Sequence, residues 1–94
     1  MFYLAFREKT LKILARVNRE QQLKINAALD VLKLEKLSLL DIKKIEGTQH
    51  GYRLRVGRWR ILISLFPRTK RVEIVDIFIK TGAKNYQKRK QLLK

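Results

Sequence analysis

Arg53, Arg55 and Arg60 are spaced so that three guanidinium groups can act together on one anion. They lie in the stretch Gly51 to Ile63, G-Y-R-L-R-V-G-R-W-R-I-L-I, where apolar and cationic residues alternate on both sides of Gly57-Arg58. Strict alternation describes a β-strand with two unlike faces. A two-residue connection that begins with glycine predicts a tight hairpin of the primed type. In that hairpin Val56 faces Trp59, Arg55 faces Arg60 and Leu54 faces Ile61, so the three arginines project from one face. Like charges directly across a strand pair are destabilising, and a fold alone has no reason to put them there. Their chemistry is electrostatic, and it calls for an anionic partner.

The elements that must position these side chains can be read on either side of the hairpin. Phe2 to Phe6 is β-prone and reads as a first strand. From about Glu8 the period becomes helical, with Leu11, Leu14, Ala15 and Val17 on one side. Asn18, with Gln21 three residues on, is placed to cap a second helix. Its apolar stripe is Leu23, Ala27, Val31 and Leu34, widened by Ile25, Ala28 and Leu32. Two helices joined so tightly form an antiparallel hairpin. Glu35 to His50 shows only partial order, and Gly47 to Gly51 reads as loop.

Strands follow over Tyr52–Val56, Trp59–Phe66 and Val72 to about Lys80, and Ala83–Lys94 reads as a basic terminal helix. Pairing Phe66 with Val72 sets Ser64 against Ile74, Leu62 against Asp76 and Arg60 against Phe78. Lys80 then joins the arginine face, and Asp76 faces it as charge compensation. Trp59, Ile61, Ile63, Leu65, Val75, Ile77 and Ile79 form the apolar face on which the helices pack. The expected fold is α+β, β-α-α-β-β-β with a last helix. Its twisted antiparallel sheet carries the helical hairpin on one face and leaves a cationic face open.

Ninety-four residues with 46% hydrophobic content make one domain, residues 1–94, with a single core. The net charge is +15. Residues 1–40 contribute eight basic and four acidic side chains, and residues 41–94 contribute fifteen and four. Such an excess steers a protein toward polyanions. With no cysteine there are no disulfides, thiolate metal sites or cysteine nucleophiles. No apolar run reaches the length of a membrane span, and Met1–Phe6 is too short for a signal-peptide core. A cytoplasmic protein without a membrane role is expected. No ligand cluster or phosphate-binding Gly-rich loop supports a zinc, magnesium or nucleotide cofactor.

The element order, K-K-I-E-G before the hairpin, Y-R-L-R-V-G-R-W-R-I-L-I within it and I-F-I-K-T-G-A-K-N-Y after it resemble the RelE/ParE superfamily of toxins from toxin–antitoxin systems. The resemblance is detailed over Ile42 to Tyr86 and holds in outline elsewhere. RelE-type members are described as ribosome-dependent mRNA endonucleases, active in the A site and silenced by a cognate antitoxin. The resemblance implies a site of Arg53, Arg55, Arg60, Lys80 and Tyr86. Two positions depart from the family pattern: the first-strand pair is often lysine there, and the final basic residue is often arginine.

RNA needs no metal if its own 2′-hydroxyl attacks the adjacent phosphorus. The protein must then move two protons and stabilise charge on the phosphoryl oxygens. Three guanidinium forks suit the second task. Arginine is a poor base, which leaves Lys80 and Tyr86 for the protons, with Tyr86 also able to stack on a base. His50, the only histidine, is a shuttle by residue type, although a lone loop histidine is more often simply solvated. Arg58, Lys84, Lys88, Arg89, Lys90 and the terminal Lys94 are expected to track mRNA and rRNA backbone. The implied protein partner is an acidic antitoxin, with a heterotetramer as one assembly. The competing readings are a ParE-like gyrase inhibitor on the same fold and a non-catalytic RNA- or ribosome-binding domain.

Overall fold

The hairpin forms as its alternation dictates, and the rest of the sheet grows from it. The computed structural model describes residues 1–81 and 88–93. The strands are β1 (Tyr3–Phe6), β2 (Asp41–Lys44), β3 (Gly51–Val56), β4 (Trp59–Phe66) and β5 (Arg71–Ile79), and the helices are α1 (Glu8–Arg16) and α2 (Arg19–Lys33). A 3-10 turn, Lys90–Leu93, closes the described chain. The strands form one sheet in the order β1-β5-β4-β3-β2, antiparallel throughout except for the parallel pair β1 and β5. The α+β class holds. The sheet is mixed rather than wholly antiparallel, and it gains a short edge strand, β2, from the segment that had shown only partial order. Among the described residues no helix is long and apolar enough to cross a membrane.

In the β3–β4 hairpin Val56 pairs with Trp59, Arg55 with Arg60 and Leu54 with Ile61. Gly57 turns the chain at φ +60° while Arg58 stays out of the positive region, the pattern of a type II′ turn. On β5 the expected register holds only near this turn. Arg60 pairs with Phe78 and Leu62 with Asp76, but beyond a bulge Ile63 pairs with Ile74 and Leu65 with Val72. The expected pairs Ser64–Ile74 and Phe66–Val72 are thus displaced by one residue. Val75 is the extra residue of the bulge, which reverses the strand's inward phase. Val72 and Ile74 before it, and Ile77 after it, all enter the core under the helices. Val75 turns to the opposite face, where it joins Leu62, Phe78 and Leu93.

The helical hairpin packs on the first face, along a stripe rotated from the expected one. Thr10 and Leu14 are buried on α1, and Ile25, Leu29 and Leu32 on α2, whereas Leu11, Leu23 and Leu34 are exposed. Asn18 caps α2 as expected, its Oδ1 accepting the Gln21 N–H at 2.9 Å. At the far end of α2, Glu35 adopts φ +63° and accepts from Lys70 Nζ at 2.6 Å and the Met1 amino group at 2.7 Å. The Lys70 hydrogen bond, followed by that of the amino group, holds the Glu35 carboxyl below the usual carboxylate range.

The second face is not wholly open. Its apolar part, Leu62, Val75 and Phe78, is covered by Leu93 with Ile45 and Leu92 at the margin. The covering segment is fastened by charge. Asp76 is fully buried; its carboxylate accepts from Arg89 Nη1 and from the Ile77 N–H at 2.9 Å, and Lys9 Nζ forms an ion pair with it at 3.3 Å. The Arg89 guanidinium also lies 4.1 Å from the Phe78 ring centroid. Arg7 adds a bond to the Leu92 carbonyl at 3.1 Å while pairing with Glu73 at 2.7 Å.

Candidate nucleic-acid interface

Nearer the hairpin turn the same face carries a strip of charged side chains. Register puts Asp41 opposite Arg55 and Lys43 opposite Arg53, and Arg55 opposite Arg60. Alternation along each strand therefore gathers Lys43, Arg53, Arg55 and Arg60 on one face, with Asp41 as their carboxylate neighbour. Arg53 Nη2 approaches Asp41 Oδ1 at 3.3 Å, and Arg55 Nε lies 3.7 Å from Oδ2. The first distance is long for a charge-assisted hydrogen bond and the second is outside hydrogen-bond range. Asp41, itself half exposed, is a loose counterion to both arginines.

Arg60 is held differently. Its Nη1 donates to the Gly57 and Trp59 carbonyls at 2.9 and 3.0 Å, so its guanidinium rests against the turn. Its Nε is buried with no acceptor among the described residues. The like-charge pair Arg55–Arg60 is eased from both sides: Asp41 neutralises one member, and turn carbonyls solvate the other.

The remaining expected residues divide sharply. Lys80 follows the end of β5, its backbone N–H donating to the Arg58 carbonyl at 3.3 Å, which brings it beside the turn. Arg58 is exposed in the turn and Lys88 is exposed on the terminal segment. Arg89 is committed inward to Asp76, whose carboxylate lies on the face that the terminal segment covers. Lys84, Tyr86 and Lys94 lie outside the described residues. Asp76 does share the arginine face, but its cationic partners are Arg89 and Lys9. Trp59 packs against the core, as its place on the apolar side predicted. His50 stands at the other end of β3 from the turn, its ring 4.7 Å from that of Phe66.

Sequence reasoning missed Asp41 and Lys43. The signal was present in Leu40-Asp41-Ile42-Lys43, where two apolar residues alternate with two charged ones. Extending the arginine strands by one neighbour would have placed both charges on the cationic face.

No family model and no curated protein sequence matches the chain. Solved structures do. The RelE–RelB complex of Pyrococcus horikoshii matches with a TM-score of 0.76 at 22% identity, over 87% of this chain and 98% of that one. The RelB–RelE complex of Methanococcus jannaschii matches with a TM-score of 0.71 at 26% identity, over 87% and 96%. The isolated RelE toxin of E. coli matches with a TM-score of 0.70 at 15% identity, over 97% of both chains. With the strand order, the helical hairpin and the hairpin strip all in place, this chain has the fold of the RelE toxins.

Proposed function

We propose that this chain is the toxin of a toxin–antitoxin pair and cuts mRNA in the ribosomal A site without a metal ion. The observation that carries this reading is the strip of Arg53, Arg55 and Arg60 on one face, the first two held only loosely by Asp41. In the reaction the 2′-oxygen forms a bond to phosphorus as the bond from phosphorus to the 5′-oxygen breaks. The products are a 2′,3′-cyclic phosphate and a 5′-hydroxyl. Arg53 and Arg55 leave Asp41 to clamp the phosphoryl oxygens, and Arg60, fixed against the turn carbonyls, adds its positive charge. Preorganised donors aimed at developing charge supply the largest share of such catalysis. Lys80 and Tyr86 are assigned the two proton transfers, one from the 2′-hydroxyl and one to the leaving oxygen.

The protein partner is an acidic antitoxin. Support comes from neighbours solved as RelE–RelB complexes and from a net charge of +15 that needs neutralising. Primer extension on translated mRNA tests the activity. Wild type is expected to cut inside codons and Arg60→Ala to leave the message intact. Equal cutting by both proteins would remove Arg60 from the site. Salt-dependent RNA binding with no cut from wild type would favour a binding domain instead.

A further inference from the structure

A cavity of about 380 Å³ opens on the arginine side of the sheet, between the β2–β3 loop and the terminal segment. Gly47, Gln49 and His50 line it from the loop, and Lys90, Gln91 and Leu93 from the segment. Gly51 ties it to the arginine strand. It precedes Arg53 by two residues on the same face, about 7 Å along β3, and Leu93 packs against it so closely that a Cβ there would lie 3.0 Å from Cδ1. The loop wall is braced: Lys44 Nζ donates to the Thr48 and Gln49 carbonyls at 2.7 and 2.8 Å, and Thr48 Oγ1 accepts from the Gly51 N–H at 3.1 Å.

The lining has a definite chemistry. Leu93 gives an apolar floor, and the His50 ring is steadied by Phe66 at 4.7 Å. The Lys90 ammonium rests against Gly47, where φ is +80° and a Cβ would come within 3.0 Å of Nζ. Among the described residues, neither that ammonium nor the side chains of Gln49, Gln91 and His50 have a hydrogen-bond partner. Glu46, the one acid of the loop, is not part of the lining. An aromatic ring, two carboxamides and one cation around an apolar floor can stack a base, read its edge and hold its phosphate.

Resting on the RNA-cleaving reading above, we propose that this cavity takes the base of the nucleotide flanking the one gripped by Arg53, Arg55 and Arg60. Arg53 is one residue pair along the strand from Gly51 and Arg55, facing Arg60, is one pair further, about 13 Å in all. One extended strand of RNA can cross that span and occupy both cavity and arginine strip. His50 stacks on the base, Gln49 and Gln91 contact its edge, and Lys90 contacts the adjoining phosphate. The terminal segment, pinned by Arg89 to Asp76, is thereby part of the RNA-binding surface.

The test uses the whole chain and short 2′-O-methyl RNA oligonucleotides, which cannot be cut. An abasic site is introduced at each position in turn. One position is expected to lose about tenfold in affinity for wild type, the size of one lost stacking contact, and less than twofold for His50→Ala and Gln91→Ala. Abasic profiles that are identical in wild type and both variants, with an intact loss of binding in Arg53→Ala, would overturn the cavity's role alone. Unchanged affinity in Arg53→Ala would overturn the RNA reading and this proposal with it. The side-chain amide signals of Gln49 and Gln91 are expected to shift with the oligonucleotide and not with a polyglutamate peptide of equal charge. The reverse would assign the cavity to an acidic protein and overturn the proposal.

Discussion

Replacing Arg89 by methionine probes the fastening of the terminal segment, and the buried carboxylate lets its cost be worked out. Asp76 is 0% exposed while Arg89 retains 32%. Loss of Arg89 strips one carboxylate oxygen of its partner in a place water does not reach, leaving Lys9 and the Ile77 N–H on the other oxygen. An unsatisfied buried acceptor costs about 1–3 kcal/mol, and the lost stacking on Phe78 adds about 0.5–2 kcal/mol. The remaining Lys9 pair keeps the total below the roughly 3–5 kcal/mol of a wholly uncompensated buried charge. About 2–4 kcal/mol is expected.

Asp76→Asn should cost less, about 1–2 kcal/mol, because the orphaned guanidinium can turn to water. The double variant should fall short of the sum by about 1–2 kcal/mol, as contacting partners do. Urea unfolding of the four proteins measures these values. In thermal melts the Arg89→Met variant should lose about 8–32 °C, taking about 4–8 °C per kcal/mol for a domain of this size. A larger cost for Asp76→Asn than for Arg89→Met, or strict additivity, would refute the reasoning.

Other perturbations should act in separable ways. Asp41→Asn is expected to tighten RNA binding a few-fold, by removing the competitor for Arg53 and Arg55, and to lower the cutting rate as the two forks lose alignment; a KM and kcat comparison on ribosome-bound message checks the split. Gly51→Ala forces a Cβ to within 2.6 Å of Thr48 Oγ1 and 3.0 Å of Leu93, and overpacking of this sort costs about 1–3 kcal/mol, measurable by urea unfolding. The low Glu35 value has a pH signature: a depressed carboxyl stabilises the fold above its unfolded value, and that gain is lost as pH falls through the folded one. Melting temperatures of wild type and Glu35→Gln should therefore differ at neutral pH and converge in acid.

The hairpin and its arginines were legible because alternation and a turn glycine specify faces and register together. Arg55 opposite Arg60 follows directly from counting back from Gly57. Register on β5 was legible only as far as Asp76. The bulge at Val75 was written in a phase change, Val72 and Ile74 on even positions and Ile77 on an odd one, but the adjacent apolar pairs Ile74-Val75 and Ile77-Phe78 fit either phase and hide it. The inward commitment of Arg89 was missed for another reason: Asp76 was placed on the correct face, but nothing local showed that the terminal segment would lie over it. The strand β2 escaped notice because four residues with one inward apolar side chain, Ile42, barely register as alternation. The helix faces were read off-centre because Leu11 and Leu23 are apolar without being buried, and hydrophobicity alone cannot distinguish a core leucine from a surface one.

The most direct test of the central claim is a single atom in the message. A ribosome-bound mRNA carrying one 2′-deoxynucleotide at the wild-type cut position should survive at that position while neighbouring codons remain susceptible. The parent message should yield a 2′,3′-cyclic phosphate. Cutting at the deoxynucleotide with an unchanged rate would contradict attack by the 2′-hydroxyl, and with it the metal-free mechanism built on Arg53, Arg55 and Arg60.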